Sequence, residues 1–143
     1  MTPRAPNLIL IADDEPGVRG LIRRILEREG FQTVGAEDGV RAVELAIERQ
    51  PALVILDIRM PRMDGYAALT RLHADPTTRE IPVIILTGQA GELYQGVSSG
   101  LGAVEHLTKP FRAHDLLEAV RRHLPQSGGS TAQPGGQAPD GSG

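Results

Sequence analysis

Three short apolar runs, Leu8–Ala12, Leu53–Leu56 and Val83–Leu86, limit the fold of this chain more than any other feature. None alternates apolar with polar residues, so each reads as a strand covered on both faces, as in a parallel sheet. Phe31–Ala36 and Val104–Leu107 are weaker strands of the same kind. Helical patterns separate the runs. Val18, Leu21, Ile22, Ile25 and Leu26 form one apolar stripe, with Pro16 suited to its first turn and Gly30 to its end. Val40, Val43 and Ile47 follow an N-cap at Asp38, and Tyr66, Leu69 and Leu72 follow one at Asp64. Leu116, Leu117, Val120 and Leu124 make the last stripe. The segment 90–100 is the poorest helix, with Gly91, Gly96, Ser98 and Ser99.

Five strands alternating with five helices predict an α/β domain with a doubly wound, five-stranded parallel sheet and helices on both faces. Its size suits the flavodoxin-like strand order 2-1-3-4-5. The 143 residues fit one domain. Residues 1–6 read as an N-terminal extension and 7–125 as the folded domain. Residues 126–143, with six Gly, two Pro and one charge, read as a flexible tail. With two Phe, two Tyr and no Trp, the core is aliphatic.

The absence of cysteine excludes disulfides, thiol catalysis and thiolate metal sites. Apolar runs of at most five residues are too short for a membrane span or a signal segment. A net charge of −3 gives no footprint for nucleic acid. The expectation is a soluble, cytoplasmic protein that engages neither membrane nor nucleic acid.

Ligands of open α/β sheets bind beyond the carboxyl ends of the strands. Asp13 and Asp14 follow the first strand, Asp57 the third, Thr87 ends the fourth and Lys109 follows the fifth. Lys109 is also the only lysine among fifteen basic residues. A compact ammonium is not interchangeable with a guanidinium, although an arginine-rich coding bias would produce the same count. Three carboxylates gathered at one rim repel unless a cation sits among them. Oxygen donors without His or Cys favour Mg²⁺. A carboxylate so placed is a candidate nucleophile for a phosphoryl group, with the cation, an ammonium and a hydroxyl to offset its charge.

The segment Asp57-Ile58-Arg59-Met60-Pro61-Arg62-Met63-Asp64-Gly65 resembles the D-x-x-M-P-x-M-D-G signature of response-regulator receiver domains of two-component systems. Asp13-Asp14-Glu15, Thr87, and Gly102-Ala103 leading to Lys109-Pro110-Phe111 are similar to the family's other motifs, in order and spacing over residues 7–124.

The resemblance implies that Asp57 accepts a phosphoryl group from a histidine kinase or histidine phosphotransfer protein. It implies Mg²⁺ held by Asp14, Asp57 and the backbone carbonyl of Arg59, with Asp13 acting through water. Thr87 and Lys109 would contact phosphoryl oxygens, and Lys109–Pro110 would be cis. A target protein would bind the face of helix four, strand five and helix five. His106 stands where the family often has an aromatic residue that moves with the threonine. It is either a titratable, altered coupling element or a half-exposed histidine on a strand edge. Arg59 and Gln89 occupy positions that tune phosphoryl lifetime. Arg59 either overhangs the site or points into solvent.

The expected role is a signalling phosphoacceptor without a covalent output domain rather than a turnover enzyme. A phosphorelay intermediate is the alternative, and a small Mg²⁺-dependent aspartyl phosphatase is the remaining one. That phosphatase class places its nucleophile in a D-x-D on the first strand, whereas residues 13–15 read Asp-Asp-Glu. Gly96-Val97-Ser98-Ser99-Gly100 matches a hydrolase nucleophile pattern but lacks the preceding buried strand, and reads as a turn.

Overall fold

The computed structural model describes residues 5–88 and 102–124. Gln89, the fourth helical segment at 90–100, the Gly96–Gly100 pattern and the 126–143 tail lie outside the described residues. Five strands, β1 (Ala5–Ala12), β2 (Gln32–Ala36), β3 (Pro51–Asp57), β4 (Val83–Thr87) and β5 (Glu105–Thr108), form one parallel sheet. Its order is β2-β1-β3-β4-β5, as the apolar runs and their spacing predict. The described helices are α1 (Pro16–Arg28), α2 (Gly39–Arg49), α3 (Gly65–Ala74) and α4 (Ala113–His123), the last being the fifth helical segment of the sequence. None is long and apolar enough to cross a membrane.

The runs are continuous because both faces of each central strand are covered. Leu10, Ala12, Val54, Leu56, Val83 and Ile85 point to one face, against α2 and α3. Ile9, Ile11, Leu53, Ile55, Ile84 and Leu86 point to the other, against α1 and α4. The period of two along each strand divides neighbouring residues between the two cores. β1 begins at Ala5, three residues before its apolar run, because Ala5 pairs with Pro51 and its N–H donates to the Gln50 carbonyl. β5 begins at Glu105 rather than Val104, which is 43% exposed.

Asp38 and Asp64 cap α2 and α3, accepting from the N–H groups of Arg41 and Ala67, each at 2.8 Å. Pro16 opens α1, and Gly30 beyond its end has φ +93°. Two apolar stripes sit differently from the expectation. Ile47 is 43% exposed, and α2 buries Ala42, Val43, Leu45 and Ala46 instead. The small alanines let the helix lie close to the sheet, which turns the stripe away from Ile47. Leu21 is likewise on the solvent side of α1, where Ile22 and Leu26 fill the core.

Candidate functional site

Register brings the polar strand ends together. Ala12 pairs with Leu56, so Asp13 and Asp57 stand side by side one residue on. Asp57 in turn pairs with Leu86, and Thr87 with Thr108, which places Lys109 one step beyond Thr87. Carboxylate oxygens of Asp13, Asp14 and Asp57 lie within 4.8 Å of one another. Asp13 and Asp57 are buried, whereas Asp14 is exposed at the mouth. The Lys109 ammonium bridges the two buried acids, 3.0 Å from Asp13 Oδ2 and 3.3 Å from Asp57 Oδ2. Lys109–Pro110 is cis, as expected.

Asp13 is held from several sides. Its N–H donates to the Ala36 carbonyl, and its Oδ1 accepts from the Glu15 N–H at 2.9 Å. The Arg19 guanidinium donates to its carbonyl oxygen. Helical periodicity carries no signal for such a contact. Glu15 adds a carboxylate oxygen 3.9 Å from Lys109.

Burial pushes the Asp57 carboxyl above its ordinary value, and the Asp13 charge adds to this, while Lys109 opposes both. Burial alone would lower the Lys109 ammonium. The bond to Asp13 and the charges of Asp57 and Asp13 outweigh it and hold the lysine above its ordinary value, fully cationic. Three carboxylates thus face one ammonium. The remaining negative charge, presented by oxygen donors alone, fits a hard divalent cation such as Mg²⁺. One further group is unsatisfied. The Thr87 Oγ1 is buried and has no hydrogen-bond partner among the described residues, at a strand end where an incoming oxygen could accept a hydrogen bond from it.

Arg59 is exposed, and its N–H donates to Asp57 Oδ1 at 3.4 Å. His106 lies on β5 opposite Ile85 and is partly buried. Burial holds its imidazole below the ordinary value against the charge of Glu105, so the ring is neutral at pH 7. Gln89 lies outside the described residues. The site therefore gathers Asp13, Asp14, Asp57 and Lys109, with Thr87 on the adjoining strand.

Comparison with known proteins agrees with this geometry. The family model described as the response regulator receiver domain matches residues 9–121. Sporulation initiation phosphotransferase F of Bacillus subtilis is 39% identical over 118 residues, covering 82% of this chain and 93% of the relative. The DNA-binding dual master transcriptional regulator RpaA of Synechocystis is 41% identical over 118 residues, 81% of this chain and 48% of the relative. The chain thus spans about half the length of that regulator. Among solved structures, the chemotaxis protein CheY4 of Vibrio cholerae superposes with a TM-score of 0.79 at 26% identity, covering 84% of this chain and all of that one. The receiver domain of the sensor histidine kinase PA1611 of Pseudomonas aeruginosa, described with a magnesium ion in its active-site cleft, gives 0.77 at 28% identity, covering 84% and 98%.

Proposed function

The chain belongs to the response-regulator receiver-domain family of two-component systems, whose members take phosphoryl groups from histidine kinases, and from that premise we propose that Asp57 is its phosphoacceptor. The observation that carries this reading is the Asp13–Lys109–Asp57 bridge beside the Thr87 hydroxyl, which has no partner among the described residues. In the reaction an Asp57 carboxylate oxygen attacks the phosphorus of a phosphohistidine. The O–P bond forms as the N–P bond breaks, and its electron pair returns to the donor's ring nitrogen. Lys109 exchanges its contact with Asp57 for a phosphoryl oxygen, and the Thr87 hydroxyl donates to another. Asp14, Asp57 and the Arg59 carbonyl, with Asp13 through water, would hold a magnesium ion, which would offset the negative charge of the phosphoryl oxygens. Lys109 and Thr87, drawn toward the phosphate, bias the sheet edge and the face that meets a target protein.

Acetyl phosphate with Mg²⁺ should add one phosphoryl mass to the chain, and none to Asp57→Ala. An increment that survives that substitution would refute the assignment.

A second role has its own support. The match to sporulation initiation phosphotransferase F, over 93% of that protein, favours a relay that passes the phosphoryl group onward to a histidine of another protein. Incubating the phosphorylated chain with histidine phosphotransfer proteins and following the label separates relay from direct binding of a target. Label that stays on the chain argues for the latter.

A further inference from the structure

The loop between β3 and α3 carries Arg59 and closes on itself. The Gly65 N–H donates to the Ile58 carbonyl at 2.8 Å and the Met63 N–H to the Pro61 carbonyl at 2.7 Å. Within it Arg62 has φ +66°, a left-handed conformation that a side-chain-bearing residue adopts only when its surroundings impose it. The other described non-glycine residue of this kind, Gln50, ends α2, where its side-chain amide bonds the Ala46 and Ile47 carbonyls. Arg62 ends no helix. Its partner is Asp38, which is 1% exposed.

The two oxygens of Asp38 have separate tasks. Oδ1 accepts from the Arg41 N–H and caps α2, whereas Oδ2 accepts from Arg62 Nε at 2.8 Å and also from Nη2. The Arg62 side chain is itself 64% exposed, but the Asp38 oxygen it covers is buried and would otherwise lose this partner. The next residues repeat the contact in the backbone. A Cβ on Gly39 would lie 2.1 Å from the Met63 carbonyl oxygen, so α2 starts directly against the loop. Asp38 itself stands two residues beyond Ala36, whose carbonyl holds the N–H of Asp13.

We propose that Asp38 and Arg62 are positioning residues for phosphoryl transfer: their ion pair pins the β3–α3 loop to the start of α2 and so fixes the Asp57 carboxylate and the Arg59 carbonyl for cation binding. The proposal rests on the functional reading given above. It assigns a task to a contact between residues 24 apart that cap and loop patterns alone do not reveal.

Two variants test it. Asp38→Asn keeps an N-cap acceptor but loses the charge. Arg62→Gly removes the guanidinium and relieves the left-handed backbone. Amide hydrogen exchange at residues 59, 60, 62 and 63, measured without cation, should quicken by about tenfold in both. Mg²⁺ affinity, from amide shift titration, should fall by about tenfold, the low end of what outer-shell partners are worth. The double variant should lose no more than either single one, because the two residues act as one unit. The urea midpoint of Arg62→Gly should stay at or above that of the parent chain, which separates positioning from plain stability. Unchanged exchange and unchanged Mg²⁺ affinity in both variants, in a parent chain that binds Mg²⁺ and takes a phosphoryl group, would overturn the clamp alone. A parent chain that does neither would overturn the functional reading and the clamp with it.

Discussion

Asp57 and Lys109 are 3.3 Å apart, yet they come from halves of the sheet that are built differently. On the β1–β3 side all seven residues of β3 are buried, strands flank it on both edges, and Asp13 is fixed through its N–H, carbonyl and carboxylate. On the β4–β5 side the edge strand has four residues, of which only Leu107 is buried, and the Thr87 hydroxyl has no partner among the described residues. The acids that must keep their place stand on the saturated half. Of the groups that must change partners when a phosphoryl group arrives, Thr87 ends β4, which is buried like β3, and Lys109 follows the short edge strand.

The largest effect should come from disturbing the saturated half. A Cβ on Gly65 would lie 2.4 Å from the Asp57 carbonyl oxygen and 2.8 Å from Ile58 Cα, both backbone atoms. Gly65→Ala should therefore cost about 1–3 kcal/mol in urea unfolding and slow phosphoryl uptake, as forced repacking does. Unaltered stability and uptake would mean that the phosphoacceptor strand is softer than its burial suggests.

The open half should respond in the opposite direction. Thr87→Val removes a buried hydroxyl that has no partner among the described residues and should gain about 1 kcal/mol. The same change should slow phosphoryl uptake, because a donor to the phosphoryl oxygen is lost. A loss of stability would show that the hydroxyl is already satisfied.

The smallest effect concerns how β5 is fastened to α4. Glu105 accepts from Arg122 Nη1 and lies 2.6 Å from the His123 ring nitrogen. Burial alone would raise its carboxyl, but these two partners outweigh it and hold it below its ordinary value. A carboxyl depressed on folding contributes stability above its unfolded value, and loses it as pH falls through the lower folded one. Glu105→Gln should thus lose about 0.5 kcal/mol at pH 7 and flatten the acid limb of the stability curve below the ordinary Glu value of 4.5. An acid limb identical to the parent's would detach Glu105 from the edge.

The same contrast explains what the sequence makes legible. Strands β1, β3 and β4 stand out because burial on both faces leaves unbroken Ile, Leu and Val runs, and each run points to the polar residue that ends it. Asp13, Asp57, Thr87 and Lys109 are therefore readable as a site before any contact is seen. The edge is harder. β5 carries Glu105 and His106 in a four-residue strand, and its start falls one residue later than its apolar residues suggest. Stripes of large residues misplace Leu21 and Ile47, since alanine and glycine decide how closely a helix lies on the sheet. The Arg19 bond to Asp13 and the Asp38–Arg62 pair leave no periodic mark, because each joins a loop to a residue whose local role is already filled.

The central claim is that the phosphoryl group resides on Asp57 and on no neighbouring acid. Borohydride reduces an acyl phosphate to the alcohol and leaves free carboxylates intact, so reduction of the phosphorylated chain followed by peptide sequencing locates the bond. The reduced side chain should appear at position 57 alone. Reduction at Asp13, Asp14 or Asp64, or at no acid despite a phosphoryl mass increment, would contradict it.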